Sequence, residues 1–231
     1  MQAMILAAGF GQRMRPLTDH TPKPLLPAGG RPLIEYPIER LRRAGITDIL
    51  INLAHLGDQI RAHLGDGNTL GVQIDYSEEP FPLETGGAIA AALPWLTRTG
   101  AEQPFVLVNG DVWSDFAFEP LLESPLAADC DGRLVMVDNP DFNPDGDFSL
   151  QPNAQLARSG PGQRLTYSGM ALLRPSLVAD YPQCRQQFPL PEAFYYAMQR
   201  GRLTGQHYDG DWQDIGTPER LAALDRQLLE L

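Results

Sequence analysis

Short apolar runs alternate along the first half of the chain with segments whose apolar positions recur at helical spacing. Met4-Ile5-Leu6-Ala7-Ala8 has the length and composition of a strand buried on both faces. Leu33, Tyr36, Ile38 and Leu41 mark one face of a helix that follows Arg31-Pro32 and runs to about Ala44, with Gly45 placed to cap its C-terminus. DILINL, from Asp48 to Leu53, predicts a second buried strand. Asp58 to Leu64 reads as a short helix ended by Gly65-Asp66-Gly67, and Val72 to Tyr76 alternates like a strand. Strand, helix, strand, helix, strand at this spacing implies right-handed crossovers and a parallel sheet. A ligand then belongs at the carboxyl ends of the strands.

The second half is looser. Ala88 to Trp95 predicts an apolar helix with Thr85 as its N-cap. Phe105 to Val108 is the most uniformly apolar strand, and it runs into Asn109-Gly110-Asp111. Ser114 to Leu122 suggests a short helix and Arg133 to Val137 a strand, while the proline, asparagine and aspartate of 138–147 predict loop. Extended pieces at 147–150 and 155–157, with a strand over 164–173, suggest a smaller second sheet region. Leu190 to Arg200 reads as a helix with Glu192 near its start. Thr217 as N-cap and Pro218 at the first helical position open a last helix, whose buried stripe is Leu221, Leu224 and Leu228.

At 231 residues the chain suits one sizeable α/β domain. A net charge of −11 argues against a nucleic-acid partner, which would call for a basic face. Cys130 and Cys184 have no metal-site spacing and read as free thiols of a reducing compartment. Met1-Gln2-Ala3 has no basic leader character, and no apolar run nears the ~18 residues of a membrane span. The expectation is a cytoplasmic protein, a monomer or small homo-oligomer, with no membrane partner.

Against that acidic background, residues 9–24 form a positive island, because Asp19 is the only acid before Glu35. Gly9 and Gly11 permit a tight turn and close approach of a ligand to the backbone. Arg13 and Arg15 follow, and then Lys23, stiffened by Pro22 and Pro24. Lys23 is the only lysine in the chain. Its retention among arginines suggests a need for a compact point charge. Glycine-loop N–H groups, arginines and one fixed lysine suit a polyphosphate. A bare Gly9-x-Gly11 would read as a plain strand-to-helix turn, but Arg13, Pro16, Thr18 and Pro22-Lys23-Pro24 following in order favour the phosphate reading. A dinucleotide fingerprint would need a third glycine where Arg15-Pro16 stands.

Three further stretches carry candidate chemistry. Gly86-Gly87 would let a flat base lie close to the backbone, with Glu79 or Glu84 as acceptor for a pyrimidine N3–H. Asp111, at the end of a central strand, either does chemistry or caps the segment after it. Asp214, in WxDIGTP, either joins it or is a turn residue ahead of the last helix.

The pattern GxGxRxxPxT followed by PKP resembles the signature loop of the sugar-1-phosphate nucleotidyltransferases, and NGD, YSG and WxDIGTP resemble that family's later motifs. The similarity runs from the Gly9 loop to the last helix. It implies a Rossmann-like, GT-A-like single domain over 1–231, with a mostly parallel central sheet flanked by helices. The nucleotide half would span about 1–112, the sugar-phosphate half with its smaller sheet about 113–216, and a C-terminal helix 217–231.

The resemblance implies nucleotide contacts at Ala8, Gly9, Gly11, Gln12, Arg13, Lys23, Glu84, Gly86 and Asn109, and Mg²⁺ held by Asp111 and Asp214. It implies sugar-phosphate contacts at Asn109, Asp147, Ser168, Gly169 and Glu192, although a strand glycine beside core packing also explains YSG. Catalysis would fall to Arg13, Lys23, Asp111 and Asp214. Many relatives carry a second lysine for the sugar phosphate, so here an arginine, metal or backbone must serve. LLPAGGRPLIEY, PLETGG, NGDVW and DNP…GDF are most similar to members that join UTP to N-acetylmuramate 1-phosphate in peptidoglycan recycling. Glucose or mannose 1-phosphate, or phosphocholine, are the alternative substrates. A nucleotide-sugar sensing module is the non-enzyme alternative, and a nicotinamide-dependent oxidoreductase is disfavoured by the missing glycine.

Overall fold

A computed structural model describes residues 1–230. The chain begins with β1 (Gln2–Leu6), passes through the glycine loop, and makes two short strands, β2 (Pro27–Ala28) and β3 (Arg31–Pro32). Then come α1 (Glu35–Arg43), β4 (Asp48–Leu53), α2 (Gly57–Leu64) and β5 (Gln73–Glu78). The predicted elements of this half are present with shifts of one or two residues, as helix and strand ends commonly show. Gly45 ends α1 as expected, at φ 78° with its N–H donating to the Arg42 carbonyl at 3.0 Å.

The second half contains α3 (Glu84–Leu96), β6 (Phe105–Asn109), β7 (Val112–Ser114), α4 (Glu119–Glu123) and β8 (Gly132–Val137). It continues through β9 (Phe148–Leu150), β10 (Leu156–Ala157), β11 (Gln163–Leu173), α5 (Ser176–Ala179) and α6 (Leu190–Gln199). It closes with β12 (Leu203–Tyr208), β13 (Trp212–Asp214) and α7 (Pro218–Leu229). The class is α/β with a central, mostly parallel sheet and flanking helices. None of the described helices is long and apolar enough to cross a membrane.

The chain divides into two compact units. One comprises residues 2–82, 108–118 and the stretch from Asp211 onward. Here β4 lies between β1 and β5, parallel to both, with Met4 opposite Leu50 and Ile51 opposite Tyr76. Buried apolar side chains on both faces of β1 and β4 explain their unbroken runs.

The other unit comprises Met1, 83–107 and 119–210. In it β11 pairs antiparallel with β8 and with β9, β10 closes a hairpin on β9, and β12 runs parallel to β8. The register between β11 and β8 shifts between Tyr167 and Ala171, where Gly169 takes a φ of 82°. Phe148, Tyr167, Phe194 and Tyr195 meet edge to face behind these strands.

Two local expectations need correction. Thr85 is not the N-cap of the helix that follows it, because α3 already starts at Glu84. The Thr85 Oγ1 instead accepts from the Leu190 N–H at 2.9 Å. Gly86 and Gly87 therefore lie inside the helix, and their N–H groups donate to the Phe188 carbonyl at 2.9 and 3.1 Å. A Cβ on Gly86 would sit 2.4 Å from the Phe188 ring, and one on Gly87 2.3 Å from the Gln186 carbonyl oxygen. What these glycines let close is segment 186–188 of the chain itself. Second, the short helix expected over Ser114–Leu122 starts only at Glu119, and Ser114 instead ends β7, which pairs with β13.

Candidate active site

The glycine loop takes its shape from Gly11, whose φ of 61° favours glycine. Its carbonyl accepts from the Met14 N–H at 2.8 Å and from the buried Thr18 hydroxyl at 2.8 Å. Thr18 is thus the brace of the turn, which explains its position in the motif. At the loop's root, the Ala7 N–H donates to Asn52 Oδ1 at 2.7 Å, and Asn52 Nδ2 donates to Glu79 Oε1 at 2.6 Å. This buried relay was not anticipated. Its signal was a lone asparagine inside an otherwise apolar strand.

Lys23 is buried between Pro22 and Pro24, and its Nζ donates to Asp111 Oδ2 at 2.7 Å. Asp111 comes after the turn at Gly110, whose N–H donates to the Leu6 carbonyl at 2.8 Å, so this acid sits at the carboxyl end of β1. Asp214 is brought alongside by the antiparallel β7–β13 ribbon, which pairs Val112 with Asp214, and by the Ile215 N–H donating to the Asp111 carbonyl at 3.0 Å.

A Cβ on Gly216 would lie 3.1 Å from Asp214 Oδ2, 3.1 Å from Arg220 Nη1 and 3.3 Å from Arg13 Nη2. Arg13, Asp214 and Arg220 therefore surround one point. Arg220 Nη1 donates to Asp214 Oδ2 at 3.0 Å. Burial and the neighbouring Asp111 charge push the Asp214 carboxyl above its ordinary range, while Lys23, Arg220 and Arg13 pull it back.

One apolar cluster holds these segments in register. Met14 comes from the glycine loop, Leu26 from just beyond Lys23, Trp113 from beside Asp111 and Ile215 from beside Asp214. Leu221 and Leu224 of α7 complete it, with Leu228 packed against it, and each such side chain contributes roughly 1.5–3 kcal/mol when fully buried. Above it lies a cleft of about 250 Å³ lined by Gly9, Gly11, Gln12, Arg13, Met14, Lys23, Asp111 and Gly216.

Of the residues expected to act, Ala8, Gly9, Gly11, Gln12, Arg13, Lys23, Asn109, Asp111 and Asp214 thus belong to this unit. Arg220 was missed.

Glu84, Gly86, Asp147, Ser168, Gly169 and Glu192 belong to the other unit. Asp147 Oδ2 accepts from the Tyr167 N–H at 2.8 Å. Glu192 pairs with Arg185 through both carboxylate oxygens, at 2.8 and 2.9 Å, and accepts from the Tyr181 hydroxyl. Ser168 is fully buried, with its Oγ accepting from the Met170 N–H at 3.1 Å. The side of Gly86 where a Cβ would stand faces the Phe188 ring.

A glycine turn with two arginines, a buried lysine and two converging carboxylates at strand ends defines an α/β protein built to handle a polyphosphate. The chain belongs to the nucleotidyl transferase family, whose model matches residues 2–146. It is 47% identical over 225 residues to the N-acetylmuramate alpha-1-phosphate uridylyltransferase of Neisseria meningitidis serogroup B, covering 96% of this chain and 95% of that one. It is 30% identical to the mannose-1-phosphate guanyltransferase beta-B of Xenopus laevis, covering 95% of this chain but 62% of that protein. In fold it resembles a putative glucose-1-phosphate thymidylyltransferase from Bacillus anthracis, with a TM-score of 0.86 at 21% identity, covering 100% of this chain and 96% of that one.

Proposed function

We propose that the protein joins UTP to N-acetylmuramate 1-phosphate, giving the UDP-sugar and pyrophosphate. The observation that carries this reading is the 47% identity, over nearly the whole of both chains, to the meningococcal uridylyltransferase. The cleft supports it with the charges such a reaction needs.

In the proposed reaction a phosphate oxygen of the sugar 1-phosphate attacks the α-phosphorus of UTP in line. The bond from that phosphorus to the β-bridging oxygen breaks, and its electron pair leaves with pyrophosphate. The attacking group is already ionised, so no general base is required. The demand is positioning and neutralisation of charge. The Gly9–Gly11 loop and Gln12 would receive the phosphates with their backbone N–H groups, and Arg13 and Lys23 would take the charge that builds on the leaving oxygens.

Asp111 and Asp214 supply only carboxylate oxygens, and among the described residues no group of three or more histidines, cysteines or acids gathers into a full protein cage. That donor set fits Mg²⁺, which takes one or two carboxylates and completes its shell with water and phosphate oxygens. When bound, Mg²⁺ would neutralise phosphate charge and help align the reacting groups. On the other unit, Asp147, Gly169 and Glu192 are the residues proposed to meet the sugar phosphate.

The experiment is pyrophosphate release with Mg²⁺, across the four NTPs and dTTP, against a panel of sugar 1-phosphates. Release with UTP and N-acetylmuramate 1-phosphate alone is the expected result. Release with GTP and mannose 1-phosphate would keep the chemistry and replace the substrates. No release with any pair, from folded protein, would favour a nucleotide-sugar sensing module.

A further inference from the structure

Both carboxylates of the cleft are held by cations of the chain itself. Lys23 Nζ donates to Asp111 Oδ2 at 2.7 Å, and Arg220 Nη1 donates to Asp214 Oδ2 at 3.0 Å and to the Asp214 carbonyl at 3.3 Å. Neither pair is a loose surface contact. The Lys23 side chain is 8% exposed against 37% for its partner Asp111, and the Arg220 and Asp214 side chains are 26% and 21% exposed. Prolines fix the backbone on both sides of Lys23, and Thr217 accepts from the Arg220 N–H at the start of α7. Each pair therefore exists because the fold places it there.

Lys23 is thus on an aspartate, whereas polyphosphate binding would have it on a phosphate. The pairing makes sense as a placeholder. Lys23, Arg13 and Arg220 around Asp111 and Asp214 sum to three positive and two negative charges, one net positive. Such a cleft attracts a polyphosphate and disfavours a lone divalent cation, and partial burial strengthens both effects.

We infer that Lys23 is an exchangeable counter-ion, which occupies Asp111 until the nucleotide arrives with its divalent cation. Lys23 then passes from Asp111 to the phosphates, and the cation replaces it on the carboxylate. Arg220 stays beside Asp214 and keeps one of its oxygens, so that the other faces the cation. The total charge around each carboxylate changes little in the exchange, and neither acid is left uncompensated in a half-buried site. The inference rests on the proposed function and adds an order to it: the cation enters on the nucleotide and does not precede it.

The test reads Mn²⁺ binding to the full-length protein by electron paramagnetic resonance of the free ion, without nucleotide and with UTP, the latter after subtraction of the Mn²⁺ that the same UTP takes up without protein. The wild-type protein is expected to bind Mn²⁺ weakly alone and well with UTP. Removing one positive charge next to a carboxylate should raise Mn²⁺ affinity in the absence of nucleotide by ~10-fold or more. Lys23→Met is the deciding variant, and Arg220→Gln replaces it should Lys23→Met fail to fold. The double variant Lys23→Met/Asp111→Asn should lose the gain.

Wild-type protein that binds Mn²⁺ as tightly without UTP as with it would overturn the inference. So would a folded Lys23→Met protein with no gain. In both cases the nucleotidyl-transfer reading stands. Absence of Mn²⁺ binding under every condition, UTP included, would overturn the metal pair of the proposed function as well.

Discussion

The carbonyl of Phe188 accepts hydrogen bonds from the N–H groups of Gly86 and Gly87, at 2.9 and 3.1 Å, and so caps a helix about a hundred residues upstream of it. The absence of side chains at both glycines allows this contact. A methyl at Gly86 would press on the Phe188 ring, and one at Gly87 on the Gln186 backbone carbonyl, which has less freedom to yield. Gly86→Ala should therefore destabilise by about 1–3 kcal/mol, with Gly87→Ala at the upper end. Urea denaturation checks this, and an unchanged midpoint in either variant would contradict the contact.

Lys23 and Asp111 should be indispensable for turnover and dispensable for folding. Removing one preorganised charged contact costs ~10²–10³-fold in rate, so Lys23→Ala and Asp111→Asn are each expected to lose at least that much. Far-ultraviolet circular dichroism should stay at the wild-type signal. A variant turning over at near-normal rate would remove that residue from the chemistry.

Asn52 answers two buried partners at once, the Ala7 N–H and the Glu79 carboxylate. Truncation takes the acceptor from the buried Ala7 N–H and one donor from Glu79, so Asn52→Ala should cost about 1–3 kcal/mol. Glu79→Gln keeps an acceptor for Asn52 and should cost much less. Thermal unfolding of the pair gives the comparison, and equal losses would show that the relay is not what holds the loop's root.

Thr217 caps α7, accepting from the Arg220 N–H at 3.4 Å. Thr217→Ala should lower stability by ~1 kcal/mol, and Thr217→Ser should restore most of it. Chemical denaturation of the three proteins distinguishes the cap from the lost methyl group. A serine variant as weak as the alanine one would point to the methyl.

The first three long strands and two helices were legible because apolar period and glycine stops agreed at each. The strands β7 and β13 were not, since three residues carry no period, and their pairing joins positions about a hundred apart. Thr85 looked like a cap because the true cap acceptor, the Phe188 carbonyl, is equally distant in sequence. In the cleft, Lys23, Arg13, Asp111 and Asp214 stood out through residue type and motif order. Arg220 could have been found as well. A side chain in the first turn of a helix leans toward the N-terminus, here back over Asp214. Asn52 was overlooked because a buried polar residue shows its role only once its partners are known.

The unit that carries the cleft is assembled from residues 2–82, a short middle piece, and the stretch from Asp211 onward. Its buried cluster takes Met14 from one end of the chain and Leu221 and Leu224 from the other. On a ribosome that cluster cannot close until α7 has emerged, by which point most of the other unit, residues 83–210, is already out. The protein therefore spends its synthesis with a hydrophobic β1–β5 half waiting for its last helix. Removal of α7 would take Leu221, Leu224 and Leu228 from that cluster at once.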